Sequence, residues 1–206
     1  MIKVFLPLVA FTFALMYQSN SQEEEVYRTD PVYIQTYEES NQQKQNENAV
    51  VYKVYAMGLS VADMYITNKD GKIEARGRTY KSLRWLYDYD FLYIEQDDYK
   101  ALYEKENNKE KIYENQEIYE KKPWLPIIAQ FFKGKVSPEE ILSMNISIND
   151  APVYISKEER DDYTVYIFKP QNSKTKKIEV YLKSGQNLPY RVEIEGKVNI
   201  TLEKVN

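Results

Sequence analysis

The chain contains no histidine and no cysteine among its 206 residues. Without His there is no Ser–His–Asp triad, no Cys–His pair and no imidazole metal site. No remaining side chain has an ordinary pKa near neutrality. Without Cys there is no disulfide, no thiolate nucleophile and no lipid carried on a cysteine at an export site. A disulfide-stapled secreted scaffold is thereby excluded, whereas a bacterial periplasm fits. The six glycines are scattered and form neither GxGxxG nor a Walker A loop, so a phosphate cradle is missing. An excess of positive charge is also lacking. With 28 basic against 32 acidic side chains and a formal net charge of −4, the chain has no basic stripe for nucleic acid. Beyond the N-terminal region no stretch approaches the roughly 20 apolar residues of a membrane span.

What is present begins with MIKVFLPLVAFTFALMYQSNSQ. Lys3 supplies a positive start, residues 4–16 are uncharged and mostly apolar, and Ser19 and Ser21 stand just ahead of a cut before Gln22. This is the three-part layout of a secretory signal. The expectation is a signal peptide over 1–21, with an uncleaved N-terminal anchor as the alternative, and a soluble product exported to a bacterial periplasm. Residues 22–48 are polar and amide-rich and read as a flexible lead-in. Within them VYIQTY, residues 32–37, offers one edge strand, which Pro31 limits in its pairing.

From residue 49 to 206 the pattern is that of a single β domain. Short apolar runs alternate with turn signals. NKDG at 68–71 is a hairpin turn. In KIEARGRTY, Ile73, Ala75, Gly77 and Thr79 share one face, while Lys72, Glu74, Arg76 and Arg78 share the other. Residues 84–95 read as one aromatic-rich strand, and KIYENQEIYE reads as a strand after the NNKE turn. A helical insertion over 123–144 then interrupts the meander. Pro126 suits the first turn of a helix over 127–132. Ser137 with Glu140 makes a capping box for a second helix. Strands resume to the end, closing with Val192 and Ile194 facing Ile200 and Leu202. The spacing predicts about ten or eleven strands. A sheet of that size curls. The expected fold is therefore mainly β, a strongly curved antiparallel sheet or open barrel with one or two short helices on its concave face. The apolar insertion is either plain core or a lid over a cavity.

Chemistry-bearing patterns are few. Asp88, Asp90, Asp97 and Asp98 lie near one hairpin and Asp161 with Asp162 on another. Paired carboxylates serve glycoside hydrolysis or calcium binding, but these sit where turn chemistry already requires Asp. No serine has a base partner or a GxSxG elbow. The main constellation is aromatic and apolar: Trp85, Tyr87, Phe91, Trp124, Leu125, Ile127, Ile128, Phe131 and Phe132, with the Arg84 guanidinium beside them as a hold for a lid or an acidic headgroup. Ordinary core packing accounts for the same residues.

The order VYKVYAMGLSVADMYI, then YTVYIFK, then LPYRVEIEGKV resembles an uncharacterised bacterial envelope family, domain of unknown function 3108, over residues 49–205. The layout also resembles the LolA/LolB-like group of lipoprotein carriers. That resemblance implies an open curved barrel with helices over its hollow and an acyl or other apolar ligand, with no catalytic residues. The expected function is a non-catalytic periplasmic binding or carrier protein for such a ligand. The alternative is an envelope scaffold or interaction domain with a solid core. No cofactor, metal or nucleic acid is expected. The expected partners are a lipid or other apolar ligand and an envelope protein.

Overall fold

The structure, a computed structural model, describes residues 49–134 and 137–205. The expected signal peptide, the lead-in and its strand at 32–37 lie outside the described residues.

The first half is a meander of six strands: β1 Val50–Ala56, β2 Leu59–Lys69, β3 Lys72–Thr79, β4 Tyr89–Gln96, β5 Tyr99–Glu106 and β6 Lys109–Glu114. A 3₁₀ turn, Lys81–Leu83, lies between β3 and β4. Three helices follow: α1 Gln116–Lys121, α2 Trp124–Gln130 and α3 Pro138–Leu142. The second half is again a meander: β7 Ser147–Ile148, β8 Ala151–Glu159, β9 Tyr163–Pro170, β10 Lys177–Lys183, β11 Arg191–Glu195 and β12 Ile200–Lys204. β1 pairs with β12, so the halves join into one antiparallel sheet of twelve strands with β6 and β7 at its edges.

The turns have a chemical cause. Asp70 and Gly71 both adopt positive φ (53° and 83°), as a two-residue I′ hairpin requires. Asn107–Asn108 and Asn149–Asp150 repeat the device, since short Asx side chains tolerate the left-handed region.

The curvature follows from α1. Laid flat, twelve strands would set β6 and β7 about 53 Å apart at about 4.8 Å per step. Yet α1, six residues and about 9 Å long, touches both edges. Gln116 Nε2 donates to the Ser147 carbonyl of β7 at 2.9 Å. The sheet therefore curls until its edges nearly meet, and a register shift at Val54/Tyr55 adds a local bend.

Several expectations need correction. Among the described residues there are twelve strands rather than ten or eleven, because the Asn149–Asp150 turn splits what reads as one strand into β7 and β8. The described residues hold three helices rather than one or two. KIYENQEIYE breaks at Asn115, whose φ is 48°, and the helical region starts at Gln116, not at 123. The aromatic strand begins at Tyr89; residues 84–88 form the turn before it. α2 starts at Trp124, ahead of Pro126. The capping box of α3 is present: Ser137 Oγ accepts from the Glu140 amide at 3.1 Å, and Glu140 Oε2 accepts from the Ser137 amide at 2.6 Å.

On β3 the alternation holds, with Ile73, Ala75, Gly77 and Thr79 all buried. Gly77 lies under Phe91, and a Cβ there would overlap the ring. Gly77→Val is expected to cost about 1–3 kcal/mol by overpacking, read as a lower urea midpoint with an unchanged slope.

Candidate apolar site

α2 is apolar except for its last residue, Gln130, and all its residues from Trp124 to Ala129 are buried. Such a helix belongs inside a protein rather than on its surface. It lies in the hollow of the sheet. Phe91 of β4 meets Trp124 edge-on, with ring centroids 6.0 Å apart. Beyond the helix, Phe131 packs on Tyr166 and Phe168 of β9 at 5.8 and 6.5 Å, and Phe132 on Tyr52 of β1 at 6.3 Å. The insertion thus bridges both halves of the sheet.

Between α2 and the sheet a void of about 10 Å³ remains, walled by Met64, Ile66, Ile73, Ala75 and Tyr93 below and by α2 above. That is about the space of a single water, and its walls are almost wholly apolar.

Polar contacts tie down both ends of the insertion. At the C-terminal end Asn68 Nδ2 donates to the Phe132 carbonyl at 2.6 Å, and Lys133 Nζ lies 2.6 Å from Glu95. Glu95 is only 1% exposed and also has Lys100 at 3.5 Å. At the N-terminal end Lys122 Nζ lies 3.2 Å from buried Glu104 and 5.2 Å from the Tyr89 ring centroid. The Tyr89 hydroxyl donates to the same carboxylate. Two buried carboxylates on the sheet therefore draw cations from the segment that covers them. A buried charge needs such a partner.

These carboxylates also act on their neighbours. The Tyr93 hydroxyl donates to Glu95 at 2.6 Å; burial first, and the Glu95 charge second, hold it protonated far above the ordinary range. Burial and the same charge push Tyr119 up to about 12. Burial and the Glu104 charge raise Tyr89. These raised hydroxyls remain donors throughout the neutral range. Among the described residues no cluster of three Asp or Glu side chains is placed to hold a metal ion, and no helix is long and apolar enough to cross a membrane.

Of the candidate residues, Phe91, Trp124, Leu125, Ile127, Ile128, Phe131 and Phe132 come together in one core cluster. Arg84, Trp85 and Tyr87 do not join it. Trp85 is 71% exposed and donates through its indole to the Ser82 carbonyl. Arg84 holds its own turn through the Thr79 carbonyl at 2.9 Å and Asp88 at 3.7 Å. Tyr87 stacks on Tyr89 and donates to Glu106. The floor residues on β2 and β3 were within reach of the alternation pattern, since Met64 and Ile66 continue the face of Ala62. Glu95 and Glu104 carried no signal, because an acid in a strand normally faces water.

The chain is 33% identical over 153 residues to an uncharacterized protein of Aquifex aeolicus (strain VF5), an alignment covering 74% of this chain and 81% of that one. Among solved structures it resembles a domain described as that of an outer membrane lipoprotein-sorting protein from Vibrio parahaemolyticus, at 9% identity and a TM-score of 0.38, over 84% of this chain and 90% of that one. That likeness is too distant to transfer a role. No family model matches the chain, so the resemblance to domain of unknown function 3108 gains no support from that side.

Proposed function

The chain belongs to one family with the uncharacterized Aquifex aeolicus protein, and from that premise we propose that it is a non-catalytic envelope protein that binds an acyl chain or similar apolar ligand in the hollow beneath α2. The observation that carries this reading is the build of the cover. A helix apolar from Trp124 to Ala129 fills the hollow, yet ion pairs and a hydrogen bond at the two ends of its segment tie it down. Once the helix moves and both carboxylates meet water, water replaces the lysines, and the apolar interior accepts hydrocarbon in place of the helix. Because the closed void is about one water in size, ligand entry requires α2 to swing away. The missing His and Cys support a binding role, since the commonest general base and the thiolate nucleophile are absent. The signal-like N-terminus supports an envelope location.

A second reading has its own observation. The small void favours a solid-core interaction domain with no ligand. The two separate in one experiment. Native mass spectrometry of the full chain purified from its own envelope should show acyl-chain adducts. Lys133→Met, which leaves Glu95 to Lys100 and the Tyr93 hydroxyl, should raise uptake of a fluorescent fatty acid several-fold. A chain that carries no adduct and takes up no fatty acid in either form is a solid-core domain, and the carrier reading is then wrong.

A further inference from the structure

The segment that fills the hollow shows what chemistry the hollow accepts. From Trp124 to Phe132 every residue but Gln130 is apolar, and Lys133 follows. Its ammonium lies 2.6 Å from Glu95 Oε1. The occupant is thus a hydrocarbon body ending in an ammonium held by a buried carboxylate.

Glu95 adjoins the void itself. It shares the inward face of β4 with Phe91 and Tyr93. Ile73, a wall of the void, stands directly across from it on β3. Tyr93, another wall, donates its hydroxyl to Glu95 Oε2 at 2.6 Å. The Glu95 side chain is 1% exposed and that of Lys133 is 38% exposed, so the pair stands where the apolar space meets solvent.

Removing the cover treats the two carboxylate oxygens unequally. Oε2 keeps the Tyr93 hydroxyl. Oε1 accepts no hydrogen bond among the described residues and depends on its two cations. It keeps Lys100 of β5 at 3.5 Å and loses the nearer one. That oxygen then needs a donor, and a charged donor most of all. A carboxylate or phosphate head would bring like charges together. A hydroxyl head supplies a donor without a charge. An ammonium supplies both, as Lys133 does.

We propose that the ligand of the hollow is an amphiphile with a primary ammonium head, which takes the place of Lys133 on Glu95. The proposal rests on the carrier reading above and adds the chemistry of the head.

Three probes of equal chain length separate the heads. Dodecylamine, dodecanol and dodecanoate, each below its micelle concentration, are titrated calorimetrically into the full chain at neutral pH. Dodecylamine carries its charge there, as a lysine does. It should bind at least about tenfold tighter than dodecanoate, the scale of one charge-assisted hydrogen bond, with dodecanol between them. Glu95→Gln, which keeps the shape and removes the charge, should bring the three affinities together. In Lys133→Met, whose own ammonium no longer competes, dodecylamine should gain more affinity than dodecanoate; this variant carries the test if Glu95→Gln does not fold. An amine preference that survives in Glu95→Gln comes from general attraction to an acidic protein and overturns the proposal. Equal binding of the three heads, or tighter binding of the acid, overturns it too and leaves the carrier reading standing. If none of the three binds to the full chain or to Lys133→Met, the carrier reading itself fails and this inference with it.

Discussion

Raising the pH through about 10 should lower this protein's stability steadily over the next unit. The cause is a set of enclosed tyrosines, Tyr52 and Tyr93 buried and Tyr87, Tyr89 and Tyr119 half-buried. Burial raises Tyr52, and burial together with a nearby carboxylate raises Tyr87, Tyr89, Tyr93 and Tyr119, all from the ordinary value of 10.0. Below about pH 10 these hydroxyls are protonated in both folded and unfolded chains, so their contribution is fully present. Above it the unfolded chain releases protons that the folded chain keeps. The unfolded state then binds fewer protons, and stability falls as pH rises. Each fully buried hydroxyl costs about 1.4 kcal/mol per unit in that window. Tyr119 stops contributing near its folded value of about 12, while the others continue beyond it. Tyr52 and Tyr93, the two buried groups, together remove roughly 3 kcal/mol one unit above the ordinary tyrosine pKa, a large share of the stability of a typical domain, and the half-buried three add to that loss. Urea unfolding at successive pH values, with tyrosinate absorbance as a parallel probe, checks this. A stability that stays level through the window would mean that these hydroxyls are not buried. Tyr93→Phe keeps the ring, removes the ionisable group and should make the alkaline loss shallower.

The second large effect separates the two tryptophans. Trp124→Ala should cost about 3–5 kcal/mol, the usual price of removing a buried aromatic and leaving a cavity. The new space joins the small void walled by Met64, Ile73 and Tyr93. Trp85→Ala, at an exposed turn, should change stability by less than about 0.5 kcal/mol. Chemical denaturation of both variants measures the contrast. A small apolar molecule should restore part of the loss in Trp124→Ala, by about 2.7 kcal/mol at a hundredfold excess over its dissociation constant. It should leave Trp85→Ala unchanged. Equal losses in the two variants would mean that α2 is not packed in the hollow.

Much of the fold was legible because a strand writes its burial into a period of two. Ile73 and Ala75 inside, Glu74 and Arg76 outside, needed no partner to be read. Turn residues were equally plain at Asp70–Gly71, and so was the capping box at Ser137, since both depend on chemistry within four residues. The candidate site was read in part. Its apolar roof from Trp124 to Phe132 stood out as a run, but three of its proposed members, Arg84, Trp85 and Tyr87, belong to a turn. Aromatic content alone does not distinguish a strand from the turn that precedes it.

α1 shows where local signals end. Ile118 is fully buried and Gln116 binds Ser147 across the seam, yet six residues are too few to display a helical period. Local sequence alone determined the antiparallel strands, the hairpin turns, the capped helix and the absence of thiol and imidazole chemistry, because each depends on neighbours along the chain. Only the tertiary structure decided that the sheet curls until α1 bridges its edges, that Glu95 and Glu104 lie buried against lysines of the insertion, and that the hollow is filled by α2. Those outcomes depend on long-range contacts and on the volume left between packed surfaces, and a pattern of residues along a chain does not encode a volume.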